Sequence, residues 1–280
     1  MYMPNRMTNK PHLDGAPNES RKKPPNKKLG ALASALILLP LLIIPAMSLT
    51  ESNKSVKAEH ELLYDLGTLW KWGDEVFEGG SATADWQIRW NAEDVEAQML
   101  DSIDEAIYYD SEGQATDKTI TTDGATMRGD VSRLGGVVSI HFTERSETRG
   151  SYFITLESGG AKGGSEEELE RAAAEISRVV GAHQPKFTSS IKAYAFTDKK
   201  DAVKEIQRLS QGKLLDDYRD GGTQVATLGS DLLFLSEKLS PRKTANVQIS
   251  AHENTERKGI ELTLGVPLLT GEFGSIGDNP

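Results

Sequence analysis

The sequence predicts an α+β fold in which two similar units pool their strands into one antiparallel sheet with helices on one face. Three observations predict this class. Segments with apolar residues every three or four positions alternate with segments of period two. Polar turns join some of the period-two segments into hairpins. The same order of elements then recurs, so each unit reads α-β-α-β-β-β, over residues 58–164 and 165–270.

The first repeat opens with an amphipathic helix over residues 58–77, whose leucines recur at helical spacing. A half-buried strand follows over residues 84–90, where tryptophan and isoleucine alternate with polar residues. Asn91 is then expected to cap a second helix, because asparagine is favoured at that position. Residues 109–124 are expected to form a loop with at most one strand.

A β-hairpin closes the first repeat, with strands over residues 138–142 and 152–156 on either side of a polar turn. Residues 159–164 are rich in glycine and form the connector to the second repeat. Ser165 and Glu168 then make a capping box, in which each side chain satisfies a backbone N–H of the other residue. This box predicts the start of a long helix.

The second repeat follows the same plan. A strand is predicted over residues 191–196, and Asp198 is expected to cap the next helix. A short strand over residues 225–228 comes next. A second hairpin pairs residues 247–251 with residues 260–264 before a glycine-rich end.

The two repeats also agree in register. Adding 107 to Asn91 gives Asp198, and the same offset carries Leu62 onto Leu169. Chance matching is the alternative, because helical and strand periods recur in any α+β chain.

An uncharged apolar run over residues 29–49 is long enough for a bilayer core. Residues 1–28 before it carry a net charge of +5 and are expected to form a basic, disordered cytoplasmic tail, so the rest of the chain is expected outside. The run is either a cleaved signal peptide or an uncleaved membrane anchor. Pro40 and Pro45, before the small-x-small site Ala46-Met47-Ser48, favour cleavage. Either interpretation predicts export across the cytoplasmic membrane, with the domain secreted or anchored.

Composition narrows the possible chemistry. The chain carries −10 overall, which leaves −15 beyond the basic tail, and an acidic body repels the phosphates of nucleic acids. The chain contains no cysteine, which excludes disulfides, thiol nucleophiles and thiolate metal sites. We expect no cofactor, no metal site and no nucleic-acid partner. Residues 50–57 are expected to be a spacer, and residues 271–280 a flexible tail.

One local pattern mimics a calcium site. The acidic stretch over residues 216–221 resembles the start of a calcium-binding loop. Tyr218 occupies the third ligand position, however, and Thr227 stands where a bidentate glutamate is needed. We therefore predict a polar turn here.

The order helix, strand, capped helix and hairpin resembles the YwmB-like family of exported proteins from Gram-positive bacteria. The best local match is the last strand pair, from Asn246-Val247-Gln248-Ile249 to Leu264-Gly265-Val266-Pro267. The resemblance covers about residues 58–270. It implies a duplicated saddle similar to the TATA-binding protein, with no established activity. The basic tail and the extension after Leu269 depart from the family pattern.

The predicted sheet offers one candidate site. Its face away from the helices is polar but contains aromatic residues and both strand histidines, which suits a surface that binds peptides or glycans. The alternative is an ordinary solvated face. The candidate ligand-binding residues are Arg89, His141, Phe153, Tyr194, Phe196 and His252.

These features predict a non-enzymatic binding domain at the cell envelope. Its partner would be an envelope protein, a peptide or a cell-wall glycan, with the membrane as a further contact if the apolar run is retained. The alternative function is a cell-wall hydrolase whose carboxylate pair the sequence does not identify. No catalytic residue is predicted.

Overall fold

The computed structural model describes residues 54–110, 112–122, 125–160, 164–184 and 186–269. The helices are α1 (54–76), α2 (Met99–Tyr108), α3 (Glu166–His183) and α4 (Ala202–Leu209). The strands are β1 (Asp85–Glu96), β2 (Lys118–Ile120), β3 (Thr126–Val131), β4 (Gly136–Ser146), β5 (Arg149–Gly159), β6 (Thr188–Thr197), β7 (Lys213–Asp220), β8 (Thr223–Gly229), β9 (Glu237–Ser240), β10 (Lys243–Ala245), β11 (Val247–Asn254) and β12 (Gly259–Val266). The α+β class with a large antiparallel sheet is therefore confirmed.

Ten strands form one antiparallel sheet in the order β2-β3-β4-β5-β1-β6-β12-β11-β8-β7. Strands β9 and β10 pair separately. The centre of the large sheet is the antiparallel pair β1 and β6, in which Ile88 lies opposite Ile191. Outward from β1, the strands of the first half are β5, β4, β3 and β2, and outward from β6 those of the second half are β12, β11, β8 and β7. In each half, the strand that comes first in the sequence therefore lies at the centre of the sheet. The last strand of the half lies beside it, and the second strand forms the edge. The two halves of the sheet thus have the same strand order.

Each half contributes five strands to the sheet, one more than predicted. Strands β3 and β7 were missed because neither shows an apolar alternation. The sequence of β3 is TMRGDV, and most of the edge strand β7 is exposed. The candidate calcium stretch at residues 216–221 lies largely within β7, so the prediction of a polar turn there was wrong.

Two predicted helix caps were also wrong. Asn91 lies inside β1, paired with Phe153 on one side and Thr188 on the other, because β1 continues to Glu96. Asp198 precedes α4 by several residues, and the N-cap position of that helix is Asp201. At Asn91, pairing with two neighbouring strands overrode a residue preference that is only statistical.

The capping box at the start of α3 is confirmed. The Ser165 hydroxyl accepts the backbone N–H of Glu168 at 3.2 Å, and the Glu168 carboxylate accepts the N–H of Ser165 at 3.3 Å. The first helix is longer than predicted, because it already includes residues 54–57, which the sequence assigned to a spacer.

Two tryptophans of β1 join the sheet to the helices. Trp86 stacks on Trp70 of α1 with 5.1 Å between ring centroids. Trp90 donates its indole N–H to the Ser177 hydroxyl of α3 at 2.9 Å. Both β1 indoles are almost fully buried, and each buried N–H has a partner, since the Trp86 N–H donates to the Ser81 carbonyl. The covered face of β1 is thereby fixed towards α1 and α3.

A buried carboxylate ties α1 to a distant loop. Asp65 is fully buried and accepts the backbone N–H groups of Phe234 at 2.9 Å and Leu235 at 2.7 Å. Burial raises the pKa of Asp65 to about 6, although the two hydrogen bonds oppose the shift and the nearby Glu61 adds to it. The loop before β9 is therefore held by a group whose charge changes in mildly acidic solution.

None of the helices in these described ranges is long and apolar enough to cross a bilayer. The basic tail over residues 1–28, the apolar run over residues 29–49 and the end segment over residues 271–280 lie outside the described residues. What the sequence predicts for them stays a prediction.

Replacing Asp65 by alanine should destabilise the fold by about 2 kcal/mol, because two backbone N–H groups then lose their acceptor in a buried setting. Urea denaturation of wild type and Asp65→Ala measures the difference. Asp74→Ala serves as an exposed control, since Asp74 also accepts a backbone N–H, from Ser81 at 2.9 Å. Equal losses in the two variants would contradict the special importance of Asp65.

The Asp65 carboxyl should also make stability depend on pH. Because its pKa is higher in the folded than in the unfolded state, its contribution to stability grows as pH falls through about 6. When the pH is lowered from 7 to 5, we expect the free energy of unfolding of the wild type to rise by about 1 kcal/mol relative to that of Asp65→Asn. Denaturation at both pH values checks this, and a constant difference would contradict it.

Candidate functional site

The candidate site is the face of the large sheet opposite Trp86 and Trp90, here called the open face. Strand alternation places on it Gln87, Arg89 and Asn91 of β1, together with their partners in neighbouring strands. In the first half of the sheet, a row of paired residues crosses β1, β5 and β4 as Asn91, Phe153 and His141. In the second half, a row crosses β6, β12 and β11 as Phe196, Glu261 and His252. The structure therefore places all six predicted site residues on the same face, and five of them are half-buried. The six are Arg89, His141, Phe153, Tyr194, Phe196 and His252.

The first group on this face is centred on Phe153 and is called the Phe153 cluster. The Arg89 guanidinium lies 3.9 Å from the centroid of the Phe153 ring, and the His141 ring stacks on the same phenyl ring at 4.8 Å. Arg89 donates to Asn91 Oδ1 at 2.7 Å, and His141 Nδ1 shares a hydrogen bond of 2.7 Å with the Thr126 hydroxyl. These partners hold a cation, a phenyl ring and an imidazole in contact. Burial lowers the pKa of Arg89 from its ordinary value.

The second group is centred on Phe196 and is called the Phe196 cluster. The Arg257 guanidinium lies 3.9 Å from the Phe196 centroid, and the Tyr194 ring meets Phe196 edge-on at 6.2 Å. His252 Nδ1 shares a hydrogen bond of 2.8 Å with the Thr223 hydroxyl. The half of the sheet that begins with β6 thus repeats the combination found in the first half. An arginine lies over a phenyl ring, and a histidine is hydrogen-bonded to a threonine.

Tyr194 is the most perturbed group of the second cluster. Burial raises the pKa of its phenol, the carboxylates of Glu261 and Asp85 raise it further, and Arg257 opposes them. The phenol therefore stays protonated at neutral pH.

The six predicted residues form two groups rather than one site. The strands of His141 and His252, β4 and β11, are five positions apart in the sheet, which is roughly 24 Å at the usual strand spacing. The two histidines therefore cannot bind one small ligand together. Sequence alternation identifies the shared face but not the distance across it.

Two arginines of this face were not predicted. Arg128 of β3 donates to Glu157 at 2.7 Å and to the Ser139 hydroxyl at 2.9 Å. The sequence could not place it, because β3 lacks the alternation that identifies a strand. Arg257 lies in the turn between β11 and β12, where no periodicity applies.

The chain returns to the open face after β12. The Leu269 amide donates to Gln248 Oε1 at 3.1 Å. The Leu269 side chain covers Gly265, where an added Cβ atom would lie 2.5 Å from Leu269 Cδ2. Leu268 and Leu269 then line a small cleft with Arg89 and Lys192. The centre of the face is therefore partly covered by this chain itself.

Two of the acidic side chains in the surface clefts are paired with arginines. Asp94 lies 2.5 Å from Arg149 in one cleft, and Glu175 pairs with Arg133 in another. The Asp94 carboxylate is well exposed and that of Glu175 is partly exposed, and an accessible, ion-paired carboxylate is a poor proton donor. Within the described ranges, no group of three or more His, Asp or Glu side chains could hold a metal ion.

The comparisons with known proteins identify no family. The chain matches no protein-family model and no curated protein sequence. DynU16, a solved protein in the dynemicin biosynthetic locus, aligns with 64% of this chain and 85% of its own, at 12% identity and a TM-score of 0.18. A similarity this low supports no inference about fold or function.

Replacing Glu261 by glutamine should lower the pKa of Tyr194, because a negative charge beside the phenol disfavours the phenolate. The ultraviolet absorbance of tyrosinate, followed against pH in wild type and Glu261→Gln, measures the shift. Tyr194→Phe identifies which transition belongs to this residue. Glu157→Gln, on the other half of the face, is the matched control and should leave that transition unchanged.

Proposed function

We propose that this chain is a non-enzymatic binding domain that acts outside the cytoplasmic membrane and binds its partner on the open face. The Phe153 cluster supports this most directly. Its phenyl ring is contacted by a guanidinium and an imidazole, and all three remain partly accessible. Aromatic and arginine side chains in such arrangements are enriched where proteins bind partners.

The partner we propose is an envelope protein, a peptide or a cell-wall glycan. Each offers apolar surface together with hydrogen-bonding groups, which matches the mixture of aromatic and polar side chains on this face. The basic tail and apolar run at the start of the sequence support an extracytoplasmic location. If the run is retained, the membrane is a further contact.

We also propose that the two halves arose by internal duplication and that the chain resembles the YwmB-like family. The shared strand order of the two sheet halves supports duplication, as does the recurrence of a helix before and after the first strand of each half. The corresponding units are 58–164 and 165–270, with the first unit's helix starting at least four residues earlier. A saddle similar to the TATA-binding protein is part of the same proposal.

The hydrolase alternative receives no support from Asp94 and Glu175, the two cleft carboxylates that are ion-paired with arginines. Nucleic acid is disfavoured by the −15 charge beyond the basic tail. The binding function is therefore the one we take forward.

Replacing His141, Phe153 and Tyr194 by alanine together should reduce binding at least tenfold without loss of the fold. The chain would be co-sedimented with purified cell walls and incubated with solubilised envelope proteins, with the bound fraction measured in each. Thermal denaturation reports whether the variant is folded.

Tyr64→Ala is the matched control, because Tyr64 is 48% exposed but lies on α1 rather than on the sheet. If the triple variant binds as well as the wild type, the open face is ruled out as the binding surface. Loss of binding in the control would show that the assay does not report on this face.

A further inference from the structure

We propose that Arg89 and Lys192 form an anion-binding site at the centre of the open face, and that its ligand is a carboxylate group of the partner. The two residues belong to the central strands β1 and β6 and line one small cleft. Arg89 lies opposite Ser190, so Lys192 is its diagonal neighbour across the strand pair, at roughly 7 Å. The part of this inference that concerns the partner rests on the function proposed above.

The two cations lack an opposite charge. Among the residues that the structure describes, neither has a carboxylate within ion-pair distance. Arg89 contacts the Asn91 amide and the Phe153 ring, which are uncharged. Both cations are half-buried, so they lose part of the water that would otherwise screen their mutual repulsion. An anion bound between them would offset this repulsion.

Arg89 is already oriented for such a ligand. Its Nε–H donates to Asn91 Oδ1 at 2.7 Å, and its guanidinium lies 3.9 Å from the centroid of the Phe153 ring. Within the described part of the chain, these contacts leave Nη1 and Nη2 without an acceptor. The two terminal nitrogens are the fork that binds a carboxylate through parallel hydrogen bonds. Because the fork is held before the ligand arrives, less conformational freedom is lost on binding.

The surroundings of the two cations suit an anion with an apolar neighbour. Thr155 and Ser190 lie opposite Arg89 on its two sides, and each has a hydroxyl group that can donate to an anion. Leu268 and Leu269 form an apolar edge of the cleft. An apolar wall lowers the local dielectric and strengthens the attraction between the cations and a bound anion. It also offers a contact to an apolar group beside the carboxylate.

The negative charges of this chain favour a carboxylate over a phosphate group. Glu157 lies opposite Gln87, where Arg128 pairs with it at 2.7 Å, and Asp85 is two residues before Gln87 on β1. The chain beyond the basic tail carries −15. These charges repel a dianionic phosphate more strongly than a carboxylate with a single charge. The ligand is therefore an acidic side chain or a terminal carboxylate of a peptide, next to an apolar residue.

Ligand-observed NMR titrations of the full chain test the site with small probes of known charge. Acetyl-Phe-Glu-amide supplies a side-chain carboxylate, and acetyl-phenylalanine supplies a terminal one. Acetyl-Phe-Gln-amide is the neutral comparison, and phenyl phosphate supplies a dianion. We expect at least one carboxylate probe to bind at least fivefold more tightly than the neutral peptide. The tighter of the two carboxylate probes identifies whether the ligand offers a side chain or a chain end.

Arg89→Gln and Lys192→Gln should each weaken binding of the carboxylate probe at least fivefold and leave that of the neutral peptide unchanged. Arg171→Gln on α3 and Lys213→Gln on β7 are the matched controls, because each removes one positive charge from an exposed position outside the cleft. Asp85→Asn should strengthen binding about twofold, because it removes a negative charge from the same face. Such a gain of affinity cannot result from a damaged fold.

Equal affinities for the carboxylate probes and the neutral peptide would overturn the proposed site. Carboxylate binding that survives both Arg89→Gln and Lys192→Gln would also overturn it, as would tighter binding of phenyl phosphate than of either carboxylate probe. Thermal denaturation of each variant confirms folding. The titrations use no cell-wall material and no envelope protein. A failed cell-wall assay would therefore count against the proposed function alone, whereas failure of the carboxylate probes would count against this site alone.

Discussion

The antiparallel pair of β1 and β6 is the interaction on which the rest of the structure depends. It joins the two halves of the sheet, and its residues face two different environments. On one side, Trp86 and Trp90 contact α1 and α3, and their buried N–H groups are satisfied by Ser81 and Ser177. On the other side, alternate positions of the same strand carry Arg89 and Asn91 into the open face. Any shift of register by one residue would expose the tryptophans and bury the arginine, so the packing of the core also positions the candidate site.

Strand pairing brings together most of the side chains on the open face, and the turn between β11 and β12 adds Arg257. Each cluster places a guanidinium against a phenyl ring, with a histidine on the same face held by a threonine from the neighbouring strand. Neither group needs a cavity, because the pleat of the sheet already brings cross-strand neighbours to within contact. A surface of this type is suited to an extended ligand that lies across several strands. The return of Leu269 to Gly265 shows that a chain segment can pack there.

Several elements and the shared sheet face of the six candidate residues could be predicted because their signals are local. The capping box of α3 depends on two residues three positions apart, and the alternation of β1, β4, β5 and β6 reports which face each side chain takes. The edge strand β7 could not be predicted. It is exposed at most positions, so its sequence shows no alternation of apolar and polar residues. Asn91 was misassigned because its two strand partners are distant in sequence, and a preference for helix caps is weaker than two ladders of hydrogen bonds.

The sequence by itself determined the α+β class, the faces of the main strands and the absence of thiol chemistry, since periodicity and composition are properties of the chain alone. Tertiary structure decided which strands are neighbours and therefore which side chains meet. It separated His141 from His252 by five strand positions, brought Arg128 to Glu157, and placed Asp65 against the loop of Phe234 and Leu235. The physical reason is that pairing between distant segments depends on the burial and hydrogen bonding of the whole sheet, which no short stretch of sequence records.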